Sequence, residues 1–483
     1  VGSAVLILAA FLALVGSLML FGWFTRLEGE GRGEVVVATV MGVALLEAVL
    51  FQSQNTVPSG LFRIPLGSFD VRPVDVLIPM ALAARVMARP PTSRVSLTAL
   101  LWVAFMAWYL AGGITGYYGG NPLPEVIGQV RSMLLLAGGY ALVAGMDVRK
   151  LLGERFLRIV SRVLFVVAFG YMVMILVVGP VAIGAGPVTI PEFGGLGADT
   201  SSIISTMGLM LILVEISSPR HHRFRIIAGS LAMLIPLIGH QAASIVGLGV
   251  MVGLTLLMSL TPRWRERVTI TPTEFLLVVV LALTVGLSGL TVAGRTAEIT
   301  SGVEDALVGN AQDSTSRLRV LLWEDARDFI LESPVIGHGA GFRQILPDQW
   351  PAPPSLVTSH NILIDVALRS GLVGLGLFLV AIFSSFREML ASWRSRLDPR
   401  LTMLSLGAGI GVGGLLAKGM AESILDKFRL AVFLGALLSM ISGIARQAET
   451  TEWGLDRNWS TAALEVTSGM SAEISLGNDS ERR

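Results

Sequence analysis

The chain has 483 residues, of which 53% are hydrophobic and only 15% charged, and its mean hydropathy is +0.71. That composition excludes an ordinary soluble globule and calls for an integral membrane protein. Lys and Arg (36) nearly cancel Asp and Glu (35), so the net charge of +1 says nothing about partners; no nucleic-acid partner is expected, and zero Cys removes disulfides and thiolate metal sites.

A tilted helix needs roughly 17 to 25 apolar residues to cross about 30 Å of hydrocarbon, and about thirteen runs meet that need. They lie near 4–24, 35–51, 71–88, 95–114, 126–145, 159–184, 200–216, 226–239, 241–260, 274–292, 360–386, 401–417 and 429–446. The short eighth run meets the ninth through Gly239, which predicts a tight helical hairpin. The opening run lacks a basic flank and a cleavage site, so it reads as a retained helix. No internal period of solenoid or transporter kind is visible.

Alternate short loops carry 19 Lys and Arg: Arg26 and Arg32; Arg85, Arg89 and Arg94; Arg149, Lys150, Arg155 and Arg158; Arg220, Arg223 and Arg225; Arg263, Arg265 and Arg267; Arg387, Arg394, Arg396 and Arg400. The intervening loops carry five, Arg63, Arg72, Lys418, Lys427 and Arg429. Basic loops stay cytoplasmic, so the loop over 293–359 is expected outside and the C-terminus inside; an odd span count then puts the N-terminus outside. The expected fold is all-α: a polytopic membrane helical bundle of about 12–14 spans, with one large extracytoplasmic loop containing an amphipathic helix. It forms a single domain over 1–446, and the polar 447–483 is expected to be a disordered cytoplasmic tail.

An ionisable group at mid-bilayer costs about 2.5 to 3.5 kcal/mol even on the gentlest scale. Glu47, Arg72, Asp75, Arg131, His240 and Gln241 all fall near outer helix ends, at the level of His360. Snorkelling to the interface and service in a site are both open to them.

Within the large loop, Leu318, Leu322, Ala326, Phe329 and Ile330 share one face of a helix starting at Ser314 and ending at Ser333-Pro334. Glu324, Arg327, Asp328 and Glu332 cover the other face. The glycines of GHGAG allow tight turns, and His338 among them reads as a turn residue. Thr358 and Ser359 cap a helix beginning at His360, where the chain is expected to enter the membrane. Asp365 and Arg369 sit four apart and are expected to pair structurally, away from His360, with Arg369 roughly 14 Å deeper. Gly371, Gly374 and Gly376 suit close helix packing.

Ser316, Arg317, Trp323, Ala326, Ile330, Pro334, Gly337, Gly339 and Phe342, followed by His360, Asn361, Ile364, Gly371 and Gly374, form an ordered motif. It resembles that of the O-antigen ligase and polysaccharide polymerase superfamily. The resemblance implies a metal-independent, cofactor-free glycosyltransferase on the outer face of the bacterial cytoplasmic membrane. Its donor would be a glycan on undecaprenyl pyrophosphate, its acceptor a glycan or lipid-glycan hydroxyl, and membrane lipids its surroundings.

By that resemblance Arg317 holds the pyrophosphate and His360 assists transfer, with Asn361 beside it. The physical logic is general: guanidinium groups stabilise the charge that grows on a pyrophosphate leaving group, and a neutral imidazole accepts the acceptor's proton. Two departures stand out. His240 and Gln241 stand where the family often has a second Arg, so Arg131, Arg295, Arg319 or Arg343 must supply any second cation. Arg369 stands where the family tends to have an acid. The competing class is a lipid-linked oligosaccharide flippase or other carrier, which needs polar residues through the full membrane thickness.

Overall fold

The computed structural model describes residues 2–50, 64–66, 69–88, 96–144, 146–178, 198–238, 242–268, 314–345 and 356–449. Its helices are α1 Gly2–Gly29, α2 Gly33–Leu50, α3 Pro73–Ala88, α4 Leu97–Tyr118, α5 Leu123–Val143, α6 Glu154–Val178, α7 Ala198–Ile216, α8 Arg223–Ile238, α9 Ala242–Ser259, α10 Pro262–Arg267, α11 Ser314–Glu332, α12 Ile362–Arg394, α13 Pro399–Gly419 and α14 Phe428–Glu449. Two small antiparallel pairs complete the set: β1 Ile64–Leu66 with β2 Phe69–Val71, and β3 Gln344–Ile345 with β4 Leu356–Val357.

The protein is an all-α polytopic membrane bundle, and seven of the described helices are long and apolar enough to cross a bilayer. Each predicted apolar run coincides with a helix wherever it falls on described residues. The run at 274–292, the turn through Gly239 and the tail from 450 lie outside them. So does much of the large loop; its predicted helix is α11, which starts at Ser314 and ends at Glu332.

Local signals account for the helix ends. Ser96 caps α4 by accepting from Ala99 N–H at 3.1 Å, and Asp398 followed by Pro399 opens α13. Helices α7, α13 and α14 are buried on nearly every side, as their all-round apolar character requires. Ser205 in α7 is tolerated there because its hydroxyl donates back to Ser202 O at 3.1 Å. Small residues set the closest approaches: a Cβ on Gly208 would lie 2.6 Å from Gly229 O, and one on Gly247 would lie 2.7 Å from Gly414 O. Outward, Val103, Val166, Phe169, Leu379 and Phe383 are exposed where acyl chains would lie.

The predicted basic loops meet at one end of the bundle. Arg85 binds Glu28 at 2.8 Å and Leu142 O, Lys150 reaches Gly31 O, Arg400 reaches Leu152 O at 3.1 Å, and Arg225 joins Glu215 at 2.8 Å and Glu154. The opposite end gathers the starts of α3, α5, α7, α12 and α14 with α11 above them. Two ends of different charge are what a fixed membrane orientation requires.

One helix departs from expectation. α12 is broken at Gly371, whose φ of +67° and ψ of −175° are not helical. The carbonyls freed by the break are all claimed: His338 N–H donates to Leu368 O at 2.7 Å, Gly339 N–H to Arg369 O at 3.1 Å, and Trp108 Nε1–H to Ser370 O at 2.8 Å. Leu372 N–H in turn donates to Pro334 O at 2.7 Å. Irregular backbone at this depth persists because protein, not lipid, surrounds it. The part after the break, 372–394, spans about 34 Å at 1.5 Å per residue, enough to cross the membrane by itself. The part before it, from Ile362 to Ser370, is almost wholly buried in protein. The helix therefore breaks at Gly371, a feature that hydropathy does not register.

Candidate active site

The loop Ser333–Phe342 docks the end of α11 onto the break. Most of its backbone N–H groups have partners. Ala340 N–H donates to Gly112 O at 2.7 Å and Gly341 N–H to Gln129 Oε1 at 2.6 Å, while Asn121 Nδ2 bridges His338 O and Ala340 O, both at 3.0 Å. Gly337, Gly339 and Gly341 all have positive φ, and a Cβ on Gly337 would lie 2.6 Å from Gly371 N. The GHGAG glycines are thus a docking surface between α4, α5 and α12, beyond the tight turns their sequence predicts. His338 is structural: Nε2 meets Phe329 O at 2.8 Å and the ring stacks on Phe342 at 4.5 Å.

Above this platform, His360 is the only non-glycine residue with positive φ (+54°) among the described residues. Such a backbone costs on the order of 1–3 kcal/mol and persists where its surroundings over-determine it. Both neighbours are fixed. Ser359 O accepts from Trp323 Nε1–H of α11 at 2.8 Å. Ser359 N–H and Oγ–H both donate to Asp365 Oδ1, at 3.2 and 2.8 Å. Asn361 caps α12, its Oδ1 accepting from Leu363 and Ile364 N–H at 3.0 and 3.3 Å. Asn361 therefore orients the loop carrying His360, and its side-chain oxygen is committed to backbone.

The other oxygen of Asp365 accepts from Ser423 in the α13–α14 connection. Arg369 binds Asp426 of that connection through two bonds, 2.6 and 2.9 Å, and stands 3.8 Å from Asp365. The expected Asp365–Arg369 pair is thus the weaker contact; the side chains join as the sequence spacing allows, but Asp426 offers bidentate geometry. Asp365 is also not remote from His360, because the loop folds back over the first turn of α12. Gly376, expected in close packing, has nothing within 4 Å of its Cβ position.

The charges acting on His360 come from α11 and the α13–α14 connection. Burial lowers its pKa below the usual imidazole value, and the charges of Arg319 and Lys427 push the same way against Glu422 and Asp426. The imidazole is held neutral near pH 7. Glu422 binds Lys418 at 2.7 Å and Lys427 at 3.6 Å. Burial works against its charge, but the two ammonium groups prevail and hold its pKa below the ordinary carboxylate range. Fully buried Lys418 also faces Asp199 of α7 at 3.7 Å and Ser244 of α9 at 3.4 Å.

Of the predicted site residues, the structure brings Arg319 and Asn361 to His360. Arg319 Nε is buried without a hydrogen-bond partner among the described residues. Arg131 is engaged by Asp75, through Nε at 2.7 Å and Nη2 at 2.6 Å, and Arg343 by Glu125 at 2.5 Å. Arg317 lies in the first turn of α11 with its side chain outside the described residues, as is that of Glu47; Arg295, His240 and Gln241 lie outside them altogether. Sequence reasoning missed Asp365, Glu422, Ser423, Asp426 and Lys427 as site components. The signal was available: residues 418–429 place three cations in a short connection on the side otherwise poor in them. Among the described residues, no group of three or more His, Asp or Glu side chains is arranged to hold a metal ion.

Residues 227–379 match a protein-family model described as O-antigen ligase. The matched stretch is about a third of the chain and runs from α8 into α12, taking in α11, the GHGAG loop, His360 and the break at Gly371. No curated protein matches the chain. The match supports the superfamily resemblance carried by the motif, and with it glycosyl transfer of the ligase or polymerase type in a membrane.

Proposed function

We propose that this O-antigen-ligase-like membrane protein transfers a glycan from a polyprenyl pyrophosphate, undecaprenyl in bacteria, to a sugar hydroxyl on the outer face of the cytoplasmic membrane. The observation that carries the reading is His360, a half-buried imidazole on a strained loop, its pKa lowered by burial and by the charge of Arg319. The basic residues gathered at the opposite end of the bundle support the outward direction.

In this reading the acceptor hydroxyl oxygen attacks the anomeric carbon as the carbon–oxygen bond to pyrophosphate breaks. The hydroxyl proton passes to His360, and the lipid pyrophosphate leaves with the bonding pair. Arg319 and Arg317 meet the charge that develops on it. Attack opposite the leaving group inverts the anomeric centre. Asp365, Ser359, Trp323 and Asn361 act as positioning residues, holding His360 in a conformation it would not adopt unaided.

The test is the profile of lipid-linked and surface glycans in cells carrying wild type, a deletion, His360→Ala, Arg319→Ala or Arg317→Ala at matched membrane levels. A polymerase predicts that His360→Ala and at least one Arg variant lose long chains while single repeat units build up on the lipid. A ligase predicts long chains stranded on the lipid. Wild-type profiles from all three variants would sink the assignment.

A further inference from the structure

Far from His360, at the basic end of the bundle, α6 is the least buried of the seven spans. Arg155, Ile159, Arg162, Val166, Phe169 and Val173 recur along it at alternating steps of four and three, and all six are exposed. Such spacing lines them up on one face of the helix, with the two arginines toward the basic end and the apolar side chains running on from them.

Arg162 stands eight residues into α6, about 12 Å along the helix at 1.5 Å per residue. Exposed Ile159, Val163 and Val166 surround it in sequence. A guanidinium among lipid-facing apolar side chains is costly unless its long stem carries the charge to a counter-charge. Among the described residues, the side chains of Arg155, Arg162 and Arg223 make no hydrogen bond or ion pair. The acids nearby are engaged elsewhere: Glu154 binds Arg225, with Arg158 at 3.5 Å and His222 at 3.8 Å, and Glu215 binds Arg225 at 2.8 Å.

Aromatic contacts bring Arg223 to the same place. Phe224, next to Arg223 at the start of α8, meets Phe165 at 5.3 Å, and Phe165 stacks on Phe169 at 5.5 Å with the ring planes 5° apart. Phe165 is three residues from Arg162, so arginines from two helices stand by one row of rings. Arg223 also opens α8, whose first N–H groups and dipole favour a phosphate.

We infer that Arg162 and Arg223 form a binding site for an anionic phospholipid, its headgroup phosphate held by the two guanidinium groups and an acyl chain laid along Val166, Phe169 and Val173. A phospholipid answers both halves of the stripe at once: the charge takes the phosphate and the apolar row takes the chain. A soluble anion answers only the first. The site pins α6 and α8 to the headgroup layer, and it stands independently of the transferase reading.

The experiment adds phosphatidylglycerol, phosphatidylcholine or inorganic phosphate to the purified full chain in maltoside detergent and follows binding and thermal unfolding. Phosphatidylglycerol is expected to bind wild type more tightly than phosphatidylcholine and to raise its unfolding temperature, with inorganic phosphate at the same concentration having no effect. Arg162→Gln is expected to weaken phosphatidylglycerol binding about fivefold, and the double variant with Arg223→Gln about twenty-five-fold. Arg149→Gln, an exposed arginine elsewhere at the same end, should leave the affinity unchanged.

Unfolding temperatures of the lipid-free variants matching wild type show that these exposed substitutions leave the fold intact, and the wild-type lipid preference is read without any variant. Equal affinity for the two lipids, or an Arg149→Gln loss as large as that of Arg162→Gln, overturns the site in favour of diffuse surface charge. Equal protection by inorganic phosphate overturns the lipid assignment.

Discussion

Ser359 gives both its backbone N–H and its hydroxyl to one oxygen of Asp365, at 3.2 and 2.8 Å, and so ties the residue before His360 to the first turns of α12. The same carboxylate receives Ser423 from the α13–α14 connection. One buried side chain thereby joins the strained loop to the segment that supplies Glu422, Asp426 and Lys427.

Asp365→Asn keeps the shape but replaces an ionised acceptor of three hydrogen bonds with an amide. Hydrogen bonds to charged groups contribute about 1.5–3 kcal/mol each, so we expect folded protein with lower thermal stability and transfer reduced at least tenfold. Because Asp365 acts through His360, the loss should fall on kcat more than on donor KM. Unchanged kcat in a variant that folds would remove its positioning role.

The pH dependence follows from the burial of His360. Its folded pKa lies below the ordinary value of about 6.5, lowered first by burial and then by Arg319. Activity that needs the neutral imidazole should therefore persist below pH 6.5 and fall only as pH drops through the lowered pKa. In Arg319→Gln that acidic limb should move to higher pH. For stability the sign is the same as for any buried neutral base: between the unfolded and folded pKa values the unfolded chain binds more protons, so stability falls as pH drops through that window. An acidic limb that does not respond to Arg319→Gln would count against the proximity of the two charges in the working protein.

The break in α12 separates two glycines of the same helix. A Cβ on Gly371 would strike the Val335 backbone, at a φ of +67° that L-residues rarely adopt, whereas one on Gly376 meets nothing within 4 Å. Gly371→Ala is expected to cost several kcal/mol and to reduce the amount of folded protein in the membrane sharply. Gly376→Ala should leave yield and unfolding temperature nearly unchanged. Comparable yields for the two would argue against the broken helix.

Arg369 and Asp426 form a two-bond ion pair at 2.6 and 2.9 Å in the bundle interior. Removing either partner leaves the other poorly compensated, at a cost of about 3–5 kcal/mol. A double-mutant cycle with Arg369→Met and Asp426→Asn should show the double variant more stable than the sum of the single losses predicts. Simple additivity would show that the pair is not formed in the membrane.

Periodicity and charge made the scaffold legible in advance. Lipid contact forces long apolar runs, so the helices could be read from hydropathy within a few residues, and the amphipathic pattern located α11. The motif located His360, Asn361 and the GHGAG glycines because local chemistry demands those residue types in order. What lay beyond the sequence were the pairings made across it. Arg369 is four residues from Asp365 and fifty-seven from Asp426, yet its two short bonds go to Asp426.

Hydropathy averages over a window, so it could not register that one glycine at φ +67° breaks α12 in two. Nor could it bring Arg72, Arg131 and Arg429 to one phenylalanine. Burial against lipid is a property of each segment and is written in it. Partner choice among buried charges depends on distance and orientation between segments, and only the packed bundle fixes those.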